Sequence, residues 1–88
     1  MSCYRIEYTD HFLNRYYRKR KLYEIIPLEI LSQRLLDNIK SGYIIVNSKH
    51  VGKEGPRYHT CIDYKNIKVI VIFEKASCYY KIVTAWKS

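Results

Sequence analysis

Three ionisable side chains recur at helical spacing near the beginning of the chain. His11, Arg15 and Arg18 are separated by four and then three residues, so an α-helix would place them on one face. An imidazole exchanges a proton near neutral pH, and guanidinium groups bind phosphate through paired hydrogen bonds. The spacing therefore predicts a proton-transfer group, His11, beside two phosphate clamps. The alternative is a surface helix whose ionisable side chains are only solvated.

A second group of candidates follows Pro56. Arg57, Tyr58 and His59 begin a stretch of alternating residues that is typical of a β-strand. We expect Arg57 to hold a phosphate and Tyr58 and His59 to contact the same ligand. The face that carries Arg57 is the more polar one, which indicates either solvent or a site. Alternation predicts Arg57, His59, Cys61 and Asp63 on that face, and Tyr58, Thr60, Ile62 and Tyr64 on the other.

A third pair of candidates lies near the end of the chain. The Thr84 hydroxyl could donate a hydrogen bond to a phosphate, and the Trp86 indole could stack on a base. The alternative is that Trp86 packs against the helices and that Thr84 is simply a good strand former. Alternation predicts one face with Cys78, Tyr80, Ile82, Thr84 and Trp86, and a second with Tyr79, Lys81, Val83 and Ala85.

A run of basic residues concentrates the positive charge. Five of the seven residues at positions 15–21 are Lys or Arg, with Tyr16 and Tyr17 among them, and the whole chain has 16 Lys and Arg against 8 Asp and Glu. Cations on nucleic acid release counterions from the phosphates, and tyrosine rings stack on unpaired bases. The formal net charge of +8 therefore favours RNA contact through Arg18 and Lys19. A solvated helix face is the alternative.

Composition also excludes several kinds of site. The sequence has no Gly-rich phosphate loop, no H-E-x-x-H motif and no G-x-S-x-G motif, and its acidic residues are scattered. We expect neither a metal nor a cofactor. If this chain cleaves RNA, the ribose 2′-hydroxyl would be the nucleophile, and arginine would stabilise the charge on the phosphorane. The odd number of cysteines argues against a disulfide framework, although Cys61 and Cys78 could pair if their strands were neighbours.

The elements that would position these side chains begin with a short strand at residues 4–8, which we expect at a sheet edge. Thr9 or Asp10 is expected to cap a helix that runs from near His11 to about Tyr23. A second helix is predicted to begin after Pro27, with leucines at helical spacing, and to end at Lys40 before Gly42. The two helices should form a hairpin packed on a sheet.

The remaining residues show the alternation of β-strands. Short connections at residues 65–66 and 74–77 predict that the last three strands form an antiparallel meander. The stretch 69–73 is apolar on both faces and should be the central strand. Residues 48–56 form the longest predicted loop, a candidate for a binding face. The predicted strands are 43–47, 57–64, 67–73 and 78–86.

Length and hydropathy place these elements in one domain, residues 1–88. A chain of 88 residues supports a single modest core, so the sequence predicts an α+β fold of order β-α-α-β-β-β-β with a mainly antiparallel four-stranded sheet. No apolar run approaches the length of a membrane-spanning helix, and the first ten residues lack the features of a signal peptide. We expect a soluble protein of the cytoplasm that does not bind membranes.

This order of elements resembles the small toxins of the RelE/ParE type, and more closely a related bacterial family that is catalogued only as a domain of unknown function. The resemblance spans nearly the whole chain through short motifs. They are His11-x3-Arg15-x2-Arg18, the helix end and strand at residues 42–45, Arg57-Tyr58, the apolar strand at 69–73 and the segment Ile82-Val83-Thr84.

The resemblance implies the fold of barnase-like, colicin-like and RelE-like ribonucleases, which act without metal. It implies a partner, a small acidic antitoxin or immunity protein, and a site of His11, Arg15, Arg57 and Thr84 with Arg18 and Tyr58. Lys19, His59 and Trp86 are expected to bind RNA from their residue types alone, and His59 has no counterpart in the resemblance. ParE-type relatives poison a topoisomerase instead of cutting RNA. Two hypotheses therefore stand: an endoribonuclease that cleaves mRNA or tRNA, or a basic domain that binds RNA or inhibits a host protein without catalysis.

Overall fold

The described part of the chain forms a short strand, an irregular helical region, a second helix and four further strands. A computed structural model describes residues 5–51 and 56–88, so the predicted strand position 4 and the loop residues 52–55 lie outside the described part. The elements are β1 (Arg5–Tyr8), α1 (Asp10–Asn14), a π-helical segment (Arg15–Lys19), a 3-10 turn (Leu22–Glu24), α2 (Leu28–Lys40), β2 (Ile45–Val51), β3 (Pro56–Tyr64), β4 (Ile67–Lys75) and β5 (Tyr79–Lys87).

All five strands belong to one sheet, in the order β1-β5-β4-β3-β2. β2 to β5 pair antiparallel with their sequence neighbours, which confirms the predicted meander and the α+β class. β1 pairs parallel with β5 and lies at the edge, as expected. The sheet therefore has five strands rather than four, because β1 extends the sheet beyond the meander.

The first helix begins as the sequence predicts. Thr9 has extended backbone angles, and its Oγ1 accepts a hydrogen bond of 3.0 Å from the Phe12 amide, so Thr9 is the N-cap. A continuous helix to about Tyr23 is wrong. From Arg15 the backbone is π-helical, Arg20 N donates to Arg15 O five residues earlier, and Lys21 is left-handed with φ 50°.

The second helix matches its prediction closely. Pro27 is the N-cap of α2, and the leucines at helical spacing face the core. At the other end Gly42 has φ +76°, Gly42 N donates to Ile39 O, and Tyr43 N donates to Asn38 O. These two hydrogen bonds form a Schellman motif, which is the reason for the left-handed residue after the helix.

One core lies between the helices and one face of the sheet. Helical Phe12, Tyr16, Leu31 and Leu35 belong to the same buried cluster as β4 residues such as Val71, so both helical segments cover that face. β4 is the central strand, as predicted. The opposite face of β4 carries Ile70 and Ile72, which are half-buried. The other buried members of the cluster are Leu22, Ile26, Ile62, Val69, Phe73, Tyr80, Ile82 and Ala85.

The predicted faces of the last strand are wrong because β5 contains a bulge. Ile72 is opposite Thr84, whereas Phe73 is opposite Ile82, so Val83 is an extra residue in β5. Ile82 and Ala85 are both fully buried in the core. Thr84 therefore lies on the opposite face from Ile82 and shares that face with Lys81 and Trp86.

Two predicted loops are shorter than expected. β4 continues to Lys75, so Glu74 belongs to the strand and not to a turn. β2 includes positions 48–51, and β3 begins at Pro56. The turn at Lys65 and Asn66 is confirmed, since both residues have positive φ, as a two-residue hairpin turn requires.

Two further expectations concern the cysteines and membranes. Cys61 and Cys78 are half-buried and do not form a disulfide, because β4 separates β3 from β5. None of the helices in residues 5–51 and 56–88 is long and apolar enough to cross a membrane.

Candidate nucleic-acid interface

The face of the sheet opposite the helices is called the open face. Its position follows from Tyr58, whose ring stacks on the buried Phe73 ring with centroids 5.4 Å apart. The residues on either side of Tyr58, namely Arg57 and His59, must therefore point away from the core. Strand register extends this face across the sheet, and its members are Arg57, His59, Cys61, Ile70, Ile72, Glu74, Lys81, Thr84 and Trp86.

Charges of alternating sign cross the open face in one row. Arg57 is directly opposite Glu74, Glu74 is opposite Lys81, and Lys81 is opposite Glu7 of β1. Arg57 Nε donates to Glu74 Oε2 over 2.8 Å. Glu74 is only 4% exposed, whereas 35% of the Arg57 side chain is exposed. The buried carboxylate thus orients the guanidinium, which has four further N–H donors.

His59 lies in the next row, between Ile45 of β2 and Ile72 of β4. It is half-buried and diagonal to Glu74, a relationship that places the two Cα atoms about 7–8 Å apart. Beside His59 is a cleft of about 310 Å³ whose lining includes Ile45, Cys61 and Ile70.

Thr84 and Trp86 complete the open face at β5, and Arg20 contacts both. Arg20 Nη1 donates to Thr84 Oγ1 over 3.0 Å and to the Ala85 carbonyl over 2.7 Å. Its guanidinium carbon is 5.9 Å from the centre of the Trp86 ring. Trp86 is 37% exposed. The arrangement presents a cation, a hydroxyl and an exposed aromatic ring at one end of the open face.

The structure does not bring the helical candidates together with this face. His11 and Arg18 are exposed and Arg15 is half-buried, all on the helical layer that covers the core side of the sheet. Arg57 is on the open side of β3, so the sheet lies between His11 and Arg57. The π-helical turn also ends the regular spacing that would have placed the three helical side chains on one face.

Two predicted RNA contacts take other positions. Tyr58 faces the core and lines a cleft of about 330 Å³ next to α2. Lys19 is exposed on the π-helical segment. Tyr16, expected among the stacking groups, is buried; its hydroxyl donates to the Ile26 carbonyl, and burial raises the pKa of this phenol to about 12.

Sequence reasoning missed two residues of the open face, Glu74 and Lys81, and it placed Arg20 only in the basic run of the first helix. Glu74 had a detectable signal, since it follows Ile70 and Ile72 at the period of two expected for one strand face. Lys81 had no such signal, because alternation alone put Lys81 and Thr84 on opposite faces of β5. The bulge at Val83 brings the two residues to the same face. Within the described ranges, no three His, Cys, Asp or Glu side chains are grouped as metal ligands would be.

No protein-family model, no curated protein and no solved structure matches this chain.

Proposed function

We propose that this protein is a metal-independent endoribonuclease of toxin type that acts in the cytoplasm and cleaves mRNA or tRNA on the open face. One observation carries the proposal: Arg57 and His59 of β3 lie on the same face of the sheet as Thr84 of β5, and Arg20 joins Thr84 from the helical layer. A phosphate at Arg57 and His59 would meet a guanidinium ion and an imidazole. A neighbouring phosphate at Thr84, two strands and about 10 Å away, would meet a hydroxyl and a second guanidinium ion.

The chemistry needs one proton removed and one returned. His59 takes the proton of the ribose 2′-hydroxyl, the 2′-oxygen forms a bond to phosphorus, and the bond from phosphorus to the 5′-oxygen breaks. The imidazolium, or solvent, gives a proton to the leaving 5′-oxygen. The products are a 2′,3′-cyclic phosphate and a 5′-hydroxyl. Arg57, oriented by Glu74, stabilises the negative charge of the phosphorane.

The direct test is incubation of the purified protein with RNA in EDTA, with detection of 2′,3′-cyclic phosphate ends. We expect His59→Ala to lower the rate at least 100-fold, since general acid–base groups contribute about 10²–10⁴-fold. Arg57→Ala removes the group that stabilises the charge of the phosphorane. Arg34→Ala on α2 is its charge-matched control, because Arg34 is exposed on the helical layer. Intact RNA at micromolar wild-type protein would overturn the proposal.

The same assay separates the two candidate sites. His11→Ala tests the helical site that the sequence predicts, and His59→Ala tests the open face. If His11→Ala abolishes cleavage while His59→Ala does not, catalysis belongs to the helical layer. Substrate with a 2′-deoxy sugar at the cleaved position should remain intact in either case, because the proposed nucleophile is then missing.

A second candidate is RNA binding without cleavage. The observation that favours it is the burial of Glu74, because Arg57 could serve only to neutralise this carboxylate within the sheet. This hypothesis predicts binding that weakens steeply with salt and gives no cleavage products.

A small acidic partner that neutralises the protein is the accompanying proposal. The net charge of +8 supports an acidic partner, and the cleft between α2 and the sheet has Lys40 and Lys75 beside apolar residues such as Ile39 and Ile44. Expression should arrest growth of the host, and co-expression of an acidic neighbouring gene product should relieve the arrest. Full growth of cells that contain abundant wild-type protein would contradict the toxin role.

A further inference from the structure

Two exposed tyrosine rings form a pair at the end of the first helical segment. Tyr17 and Tyr23 have ring centroids 6.0 Å apart, with planes inclined at 32°. They are 49% and 46% exposed. The Tyr17 ring is held in place, because it also packs edge-to-face on the buried Tyr16 ring, with ring centroids 4.8 Å apart. The pair is therefore an aromatic surface on a fixed support, outside the open face.

Irregular backbone creates this pair. On a regular α-helix, residues six positions apart differ by about 120° around the axis, so Tyr17 and Tyr23 would not meet. The π-helical turn at Arg15–Lys19 and the left-handed Lys21 bring them together. A left-handed residue other than glycine is strained and persists only where the surroundings impose it.

Exposed cations follow one another in the segment that joins the two tyrosines. Arg18, Lys19 and Lys21 lie between the two tyrosines in sequence, and all three are exposed. No ion pair engages any of them among the residues that the structure describes, although Glu24 follows Tyr23 in the chain. Exposed aromatic rings interleaved with unneutralised cations are the features that bind single-stranded nucleic acid, because bases stack and phosphates release counterions.

Arg20 connects this surface with the open face. It follows Lys19 directly, yet its guanidinium bonds to Thr84 and lies over Trp86. An RNA strand that passes over Trp86 would therefore continue along positions 17–23 while its phosphates stay close to positively charged side chains.

We propose that Tyr17, Tyr23 and the cations between them form a second binding site for single-stranded RNA, which we call the tyrosine site. The choice of RNA as ligand rests on the proposed function. Bases stack on the exposed ring faces, and phosphates contact Lys19 and Lys21. The substrate is accordingly a single strand long enough to reach from the open face to the tyrosine site, rather than a short oligonucleotide or a duplex.

The test measures binding of 2′-O-methyl RNA, which has no 2′-hydroxyl to attack, as single strands of 4 and 12 nucleotides. We expect the wild-type protein to bind the 12-mer at least tenfold more tightly than the 4-mer. Tyr17→Leu or Tyr23→Leu should weaken 12-mer binding between fivefold and 100-fold and leave 4-mer binding unchanged, whereas Tyr17→Phe retains stacking and should restore affinity. Tyr64→Leu is the matched control, since the Tyr64 ring also lies beside an exposed cation, with Lys65 Nζ 5.3 Å from its centre, at the far end of β3 from Arg57.

The cations are tested by salt dependence. Lys19→Gln combined with Lys21→Gln should reduce the slope of log affinity against log salt by about 1.4 for the 12-mer, because each phosphate contact on a single strand contributes about 0.7. Lys40→Gln on α2 is the matched control. Urea unfolding of each variant shows whether the fold is retained.

The outcomes separate the tyrosine site from the proposed function. If 12-mer binding is unaffected by Tyr17→Leu and Tyr23→Leu, or if Tyr64→Leu weakens it equally, the tyrosine site is overturned even where RNA is cleaved. The same result would leave an acidic protein as the ligand of these cations. If the variants behave as expected but the wild-type protein never cleaves RNA, the tyrosine site stands and the nuclease proposal falls.

Discussion

Arg57 and Glu74 are directly opposite each other on β3 and β4, and Arg57 Nε donates to Glu74 Oε2 over 2.8 Å. The two partners differ in burial. Water reaches about a third of the arginine side chain, while the carboxylate is almost completely shielded. Removing Arg57 therefore leaves a buried carboxylate without its partner. Removing Glu74 instead leaves a guanidinium group that water can still hydrate.

This asymmetry predicts different costs for the two halves of the pair. We expect Arg57→Met to lower the free energy of unfolding by about 3 kcal/mol, near the bottom of the range for a broken buried pair, and Glu74→Gln by only about 1 kcal/mol. Urea titration followed by circular dichroism measures both. Equal losses would show that Lys81, opposite Glu74 on β5, compensates the carboxylate.

Tyr16 should make the protein sensitive to alkali. Burial raises the pKa of its phenol from 10.0 to about 12, so the folded state holds the proton more tightly than the unfolded state. The stabilisation is complete below pH 10 and is lost as pH rises from 10 to about 12. The two-unit difference corresponds to about 3 kcal/mol. Urea midpoints between pH 9 and 12 measure this loss.

Tyr16→Phe is the control for that titration. The variant loses the hydrogen bond to the Ile26 carbonyl, so it should be less stable than wild type by about 1–3 kcal/mol at pH 8. Its stability should fall less between pH 10 and 12, so the two proteins converge. Parallel decline of both proteins would assign the alkaline sensitivity to other groups.

Thr9 joins the first helix to the sheet and should be important for stability. Its hydroxyl oxygen accepts from the Phe12 amide and donates to the Val83 carbonyl over 3.0 Å. Thr9→Ala removes both contacts and should cost about 2 kcal/mol, the upper part of the range for a lost N-cap. Thr9→Ser preserves both hydrogen bonds and should remain within about 0.5 kcal/mol of wild type. A Thr9→Ser loss as large as that of Thr9→Ala would implicate the methyl group.

Trp86 is the single tryptophan and so reports on the open face. We expect single-stranded 2′-O-methyl RNA to quench its fluorescence, because a base stacks on the exposed ring. Arg20→Ala should weaken this binding about tenfold, equivalent to about 1.4 kcal/mol, and Arg20→Lys should recover part of the loss. Quenching that does not depend on Arg20 would place the RNA elsewhere.

The features that sequence patterns predicted correctly are local ones. The Thr9 cap, the left-handed Gly42 and the turn at Lys65 and Asn66 each depend on a few neighbouring residues, so their chemistry can be read along the chain. The π-helical turn was not predictable in this way, because the residue types of the basic run fit an α-helix and a π-helix equally well. Its consequence, the pairing of Tyr17 with Tyr23, depends on how the segment returns to the core.

The open face was predictable only in part. Alternation correctly placed Arg57 and His59 together, but it put Thr84 with Ile82. A single inserted residue reverses every side chain beyond it, and the position of that residue depends on pairing with β4 rather than on β5 alone.

The sequence by itself determined the excess of basic charge, the strand order of the meander and the residue types available for phosphate chemistry. Only the tertiary structure decided that His59 and Thr84 lie in one row of the open face, with Arg20 bonded to Thr84, while His11 lies on the helical layer. The physical reason is that burial of Ile82 and Ala85 in the core determines which side chains of β5 point away from it. This packing brings Thr84 next to Arg20, more than 60 positions away in the sequence.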